Sequence, residues 1–179
     1  MTALSVRPSQ AGDLLAIQAI YAHHVRHGLG SFEEVPPDLA EMGRRRQDLI
    51  AHGFPYLTAL AQGRVAGYAY AGPYMARSAY RFSVQDSIYI APDRLRQGVG
   101  RALLAQLIED CTVLGFRQMV AIVGDSANDG SIRRHRALGF TTTGTLNAVG
   151  FKSGRWIDSV LMQRALGPGA ATLPAKTGV

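Results

Sequence analysis

The chain has 179 residues, 47% hydrophobic and 18% charged, which suits one globular domain with a sizeable core. No apolar run approaches the ~18 residues of a membrane-spanning helix, and residues 1–8 lack the basic start and apolar stretch of a signal peptide. The formal charge of +6 attracts anions, but the arginines are scattered, clustering only at 44–46 and 133–134, and no nucleic-acid motif is present. These features exclude a membrane protein and argue against a nucleic-acid binder. They leave a generally basic surface or a cofactor with several phosphates.

Residues 4–7 read as a short strand ended by Pro8. Residues 13–26 carry Leu14, Ile17, Ile20, Tyr21 and Val25 at helical spacing, and Gly28 and Gly30 end that helix. A loop precedes a more polar helix at 38–52, stopped by Gly53 and Pro55. The period then changes. Residues 56–61 and 65–70 flank Gln62-Gly63-Arg64, a hairpin signal. A longer strand is expected from Tyr80 to Ile90, closed by Pro92.

Residues 98–114 are helical again, with Val99, Leu103, Leu104, Leu107, Ile108 and Cys111 on one face and Gly115 as C-cap. Residues 118–123 form a continuous apolar run, the mark of a buried parallel strand. A short helix spans 130–138, and two strands follow near 141–149 and 156–164. The order is β-α-α-β-β-β-α-β-α-β-β in one α/β (α+β) domain, residues 1–166. Residues 167–179 are small and Pro/Gly-rich and read as a tail without fixed structure. The single cysteine, Cys111, reads as a packed core residue and is consistent with a reducing compartment.

The most informative segment runs from Ser87 to Leu104. A strand ends, a basic glycine-containing turn follows, and a helix begins. Unpaired N–H groups and partial positive charge at the helix start, with Gly98, Gly100, Arg96 and Arg101, make a cradle for pyrophosphate. The same residues also fit a plain strand-to-helix turn. A Walker loop is excluded by the missing Gly-Lys-Ser/Thr, and a dinucleotide fingerprint by the missing third glycine. The second element, Asn128 to Phe140, follows a buried strand and ends on Leu138-Gly139-Phe140.

These two elements resemble, in order and spacing, those of the GNAT superfamily of N-acetyltransferases. The stretches Tyr70–Arg81, Gly30–Glu34, Val149–Lys152 and Gly154–Asp158 resemble more narrowly the phosphinothricin / methionine sulfoximine N-acetyltransferase family, over residues 3 to 165. The resemblance implies a GNAT-like domain with a central mixed, mostly antiparallel sheet flanked by helices. It implies a cytoplasmic homodimer that moves acetyl from acetyl-CoA to the amine of a small amino acid or analogue, without a metal. Ile88, Tyr89 and Ile90 would hold the pantetheine arm. Arg96, Gln97, Gly98, Val99, Gly100 and Arg101 would hold the pyrophosphate, and Asn128 would complete the CoA site. Phe32, Glu33, Arg77 and Tyr80 would face the acceptor, Arg77 being suited to a bidentate pair with an acidic group.

The chain departs from the family pattern at the expected base. The family carries Glu two residues before the Ser/Thr-hydrophobic-Tyr run; here that position is Gln85, which has no charge to accept a proton. Asp86 is adjacent, but strand neighbours face opposite ways, and a β-bulge would be needed to turn it inward. Leu95 stands where Arg or Gln usually begins the pyrophosphate turn, and Arg136 where relatives commonly have Glu. His135 lies seven residues after Asn128, where many superfamily members carry a Tyr thought to protonate the leaving thiolate. It is either that acid or a capping or packing histidine. His23 and His27 sit at i,i+4, but no further ligand at suitable spacing supports a metal. Two other readings remain: an acyl-CoA binding or sensing module without turnover, motivated by Gln85, and acetylation of a protein N-terminus or aminoglycoside on the same scaffold.

Overall fold

The computed structural model describes residues 4–174. Seven strands form one sheet in the order β1-β2-β3-β4-β5-β7-β6. They are β1 (Leu4–Pro8), β2 (Tyr56–Ala61), β3 (Arg64–Pro73), β4 (Ser83–Ile90), β5 (Gln118–Gly124), β6 (Thr141–Lys152) and β7 (Arg155–Ala165). Four helices, α1 (Leu14–His27), α2 (Leu39–Ala51), α3 (Val99–Val113) and α4 (Asp129–Ala137), complete the expected order. Every neighbouring pair is antiparallel except β4 with β5. This is the mixed, mostly antiparallel sheet that the resemblance implied.

The sheet separates two cores. On one face Val99, Leu103, Leu104 and Leu107 of α3 pack with Val84 and Ile90 of β4. On the other, Ile17, Ile20, Tyr21 and Val25 of α1 pack on Tyr56 and Tyr68. The six apolar residues that marked α3 as amphipathic are all buried, Cys111 among them. Burial pushes the Cys111 thiol up to about 12, so it is an inert core group.

β4 begins at Ser83, later than Tyr80. The Tyr80 N–H is spent on Arg77 O in a short 3-10 turn, and the ladder from β3 ends at Pro73 opposite Val84. Beyond residue 166, Arg117 donates to Gly169 O, Thr172 Oγ1 and Leu173 O. The rest of the expected tail, 175–179, lies outside the described residues.

Asp13 joins β1 to the start of α1. Its carboxylate accepts from Arg7 Nη1 and Nη2 at 2.7 and 2.8 Å and from the Gln10 N–H at 2.8 Å. The Arg7 guanidinium holds the Asp13 carboxyl below its usual range. A depressed carboxylate pKa stabilises the fold above the unfolded value, and that contribution fades as pH falls through the folded one. Asp13→Asn should cost about 1–3 kcal/mol in urea unfolding at pH 7. The difference from wild type should shrink below about pH 4.

Candidate active site

β4 and β5 share three parallel pairs, Ser83↔Gln118, Val84↔Met119 and Gln85↔Val120, and then part. Beyond Gln85 the edge of β4 faces β5 across a cleft of about 1100 Å³ that passes through the sheet. β5 stays attached to β7 as far as Gly124↔Ser159, so the gap opens on one side only. The cleft is therefore lined by residues from both faces of β4.

At its α3 end, Arg96 (φ 60°) and Gly98 (φ 82°) are both left-handed. That backbone turns successive N–H groups toward one concavity. The first helical bond of α3 is Ala102 N–H to Gly98 O at 3.0 Å, leaving the N–H groups of residues 99–101 without an intrahelical acceptor. Arg96, Gly98, Val99, Gly100 and Arg101 all line this end; Gln97 does not, its amide donating to Asp93 O. Leu95 also lines it, half exposed. Orphan N–H groups and two cations fit a pyrophosphate. Ile88, Tyr89 and Ile90 border the middle of the cleft. His24 of α1 fixes the end of β4, its Nε2 lying 2.8 Å from Ile90 O. A carbonyl only accepts, so Nε2 carries the proton, and burial pushes the His24 pKa down. His23 and His27 merely pack ring on ring, 4.9 Å apart, and no metal-binding cluster exists among the described residues.

Asn128 reaches the cleft but already caps α4: its Oδ1 accepts from the Ser131 N–H at 3.2 Å. Its Nδ2 donates to Gly124 O at 3.5 Å.

At the α1 end, residues 28–33 roof the cleft. The roof is pressed so closely on the sheet that a Cβ at Gly150 would overlap the Phe32 ring, and one at Gly124 would come within 2.5 Å of Leu29 O. Lys152, buried in β6, donates to Ser31 O at 2.7 Å, and burial pushes its pKa down. Phe32 and Glu33 line the cleft here, with Glu33 paired to Arg45 at 2.6 Å. Arg77 and Tyr80 do not: both sit exposed in the β3–β4 connection, Tyr80 edge-on to Tyr74.

Gln85 and Asp86 both line the cleft, on opposite faces. The β3–β4 register runs unbroken through Gly72↔Gln85 and Ala71↔Asp86, so no bulge turns Asp86 to the Gln85 side. None is required, because the cleft itself crosses the sheet. Asp86 is buried toward α4, its Oδ2 lying 3.0 Å from His135 Nε2. His135 Nδ1 lies 2.8 Å from Ser131 O, and Asp86 Oδ1 has no hydrogen-bond partner. His135 is packed against Phe140 and 2% exposed, and it also faces a buried carboxylate.

The sequence placed His24 beside His23 and Arg134 beside Arg133 without giving either a role in the cleft, and it showed Lys152 only as the end of a stretch that carries the family resemblance.

The fold and cleft define an acyltransferase architecture that known proteins share. The model of the acetyltransferase (GNAT) family matches residues 17–140. Phosphinothricin N-acetyltransferase from Alcaligenes faecalis is 56% identical, over 96% of this chain and 87% of that protein. An L-methionine sulfoximine/L-methionine sulfone acetyltransferase from Salmonella typhimurium is 34% identical, over 94% and 98% of the two chains. The crystal structure of a phosphinothricin acetyltransferase from Sinorhizobium meliloti in complex with acetyl-CoA superposes with a TM-score of 0.95. Its identity is 47%, over 97% of this chain and 94% of that one.

The chain belongs to the GNAT acetyltransferases and is an acetyl-CoA-dependent N-acetyltransferase. Within them it belongs to the phosphinothricin N-acetyltransferase family.

Lys152→Met keeps the stem packed and removes the bond that seats the roof. It should raise the acceptor KM about tenfold, the loss of one charge-assisted hydrogen bond. The acetyl-CoA KM should stay within about twofold. Steady-state kinetics with each substrate varied separately checks this.

Proposed function

We propose that this enzyme acetylates the α-amine of small amino-acid analogues of the phosphinothricin and methionine sulfoximine type, in the cytoplasm. The observation that carries this reading is the through-sheet cleft, with a phosphate cradle at one end and a tight aromatic roof at the other. Such a roof suits a small acceptor better than a peptide or an aminoglycoside. In this reading residues 96–101 and the α3 N-terminus hold the pyrophosphate. The parted edge of β4 at Ile88, Tyr89 and Ile90 offers N–H and C=O groups to the pantetheine arm, and Asn128 closes that wall. Phe32 and Glu33 border the acceptor.

The amine must lose a proton before its lone pair attacks the thioester carbon. Gln85 cannot take that proton, but it can hold the amine or a water that carries the proton to solvent. N–H groups of β4 are placed to stabilise the developing oxyanion. The C–S bond then breaks, its electron pair goes to sulfur, and the thiolate takes a proton. Asp86 and His135 are suited to supply it. The Ser131 carbonyl only accepts, so Nδ1 carries a hydrogen. The 3.0 Å contact between Nε2 and Oδ2 then holds a second proton, on one partner or the other. In this reading the pair stands on the side of β4 from which the leaving group departs.

Free-thiol release from acetyl-CoA with phosphinothricin, methionine sulfoximine and methionine sulfone tests the reading. Turnover is expected with at least one of them. Asp86→Asn should lower kcat about 10²-fold while acetyl-CoA affinity holds. CoA binding without turnover on any of the three would defeat the acceptor assignment.

A homodimer is supported by the outer end of the sheet. Edge strand β6 is exposed along most of its length, and Phe151 and Trp156 stand 58% and 67% exposed, ring to ring. Sedimentation should give twice the chain mass, and Trp156→Glu should shift it toward the monomer.

A further inference from the structure

Helix α4 carries an arginine that neither the fold nor the proton transfers above employ. Arg134 is half-buried and lines the cleft. A Cβ on residue 100 would lie 2.6 Å from its Nε and 2.9 Å from its Cζ. The guanidinium therefore occupies the notch that Gly100 leaves in the first turn of α3. That turn already presents unpaired N–H groups and the positive end of the helix dipole. A cation seated there meets like charge.

Among the described residues no carboxylate forms an ion pair with Arg134. Asp129, on the same helix, pairs with Arg133, and Asp86 pairs with His135. Burial pushes the Arg134 pKa down, and the more distant Asp86 offsets this only in part. A half-buried cation against a helix N-terminus is an unfavourable arrangement unless an anion lies against both.

We propose that Arg134 is a ligand for the CoA pyrophosphate, its guanidinium seated beside the first turn of α3 so that both face the phosphates together, and that residue 100 is glycine to seat this guanidinium. The proposal rests on the acetyl-CoA site described above. It adds a second wall to the phosphate cradle, contributed by a different helix. It also gives Gly100 a role distinct from Gly98: Gly98 supplies a left-handed φ, whereas Gly100 is helical and supplies only space.

Calorimetric titration of the intact protein with CoA, 3′-dephospho-CoA and pantetheine tests it. Arg134→Gln should weaken CoA and dephospho-CoA alike, by about tenfold to a hundredfold, the range for a hydrogen bond to a charged group. Pantetheine binding should not change, and the melting temperature of the ligand-free variant should be unchanged or higher. A loss that disappears with dephospho-CoA would put the guanidinium on the 3′-phosphate and overturn the assignment. An equal loss for all three ligands, or a lower ligand-free melting temperature, would make Arg134 a structural residue and also overturn it. Gly100→Ala should weaken CoA in the wild-type background and add nothing in an Arg134→Ala background. An equal cost in both backgrounds would mean that the glycine serves the ligand's own approach, and that half of the proposal would fall. Failure of the wild type to bind CoA would instead defeat the cofactor reading itself.

Discussion

Three residue pairs join β4 to β5, and then the two strands separate. A central sheet rarely gives up ladder bonds, because each unpaired N–H or C=O inside a protein costs free energy. Here the gap is kept open by what anchors each strand elsewhere. β4 is held by a seven-pair ladder to β3 and by His24 at Ile90, and β5 by a seven-pair ladder to β7. The unpaired edge of β4 is thereby a standing row of donors and acceptors, ready for an extended ligand arm that behaves like a missing strand. The phosphate cradle, the roof and the Asp86–His135 pair all take their positions from this one opening.

The opening also resolves the problem posed by Gln85 and Asp86. On a closed sheet, alternation would bury one of them away from any site. A cleft that passes through the sheet admits both. The neutral amide stands on the face that α1 and its loop cover, and the carboxylate stands on the face that α4 covers. The carboxylate and the roofed end of the cleft are thus on different sides of β4. That separation is why the chemistry assigned to Asp86 concerns the departing sulfur and not the arriving amine.

Charge placement follows the same division. Lys152 lies buried under the roof with a carbonyl for a partner, and Arg134 lies against the cradle with none among the described carboxylates. Removing a cation from water, wholly as at Lys152 or partly as at Arg134, costs free energy that a partner must offset. Surface pairs such as Arg44 with Glu41 contribute far less, since water screens them.

The sequence by itself determined the elements, their order and the family. Leu103, Leu104 and Leu107 at helical spacing, the apolar run of β5 and the glycines at 98 and 100 are local signals, and local signals survive in one dimension. It also located Gln85 as a departure, since that depends only on position within a motif. The tertiary structure alone decided where β4 leaves β5, that Arg134 turns inward while Arg133 and Arg136 turn out, and that Lys152 seats a loop more than a hundred residues away. It moved Arg77, Tyr80 and Gln97 out of the cleft and joined Asp86 to His135. Those outcomes depend on packing between segments distant in the chain, and no periodicity within a segment encodes its partner.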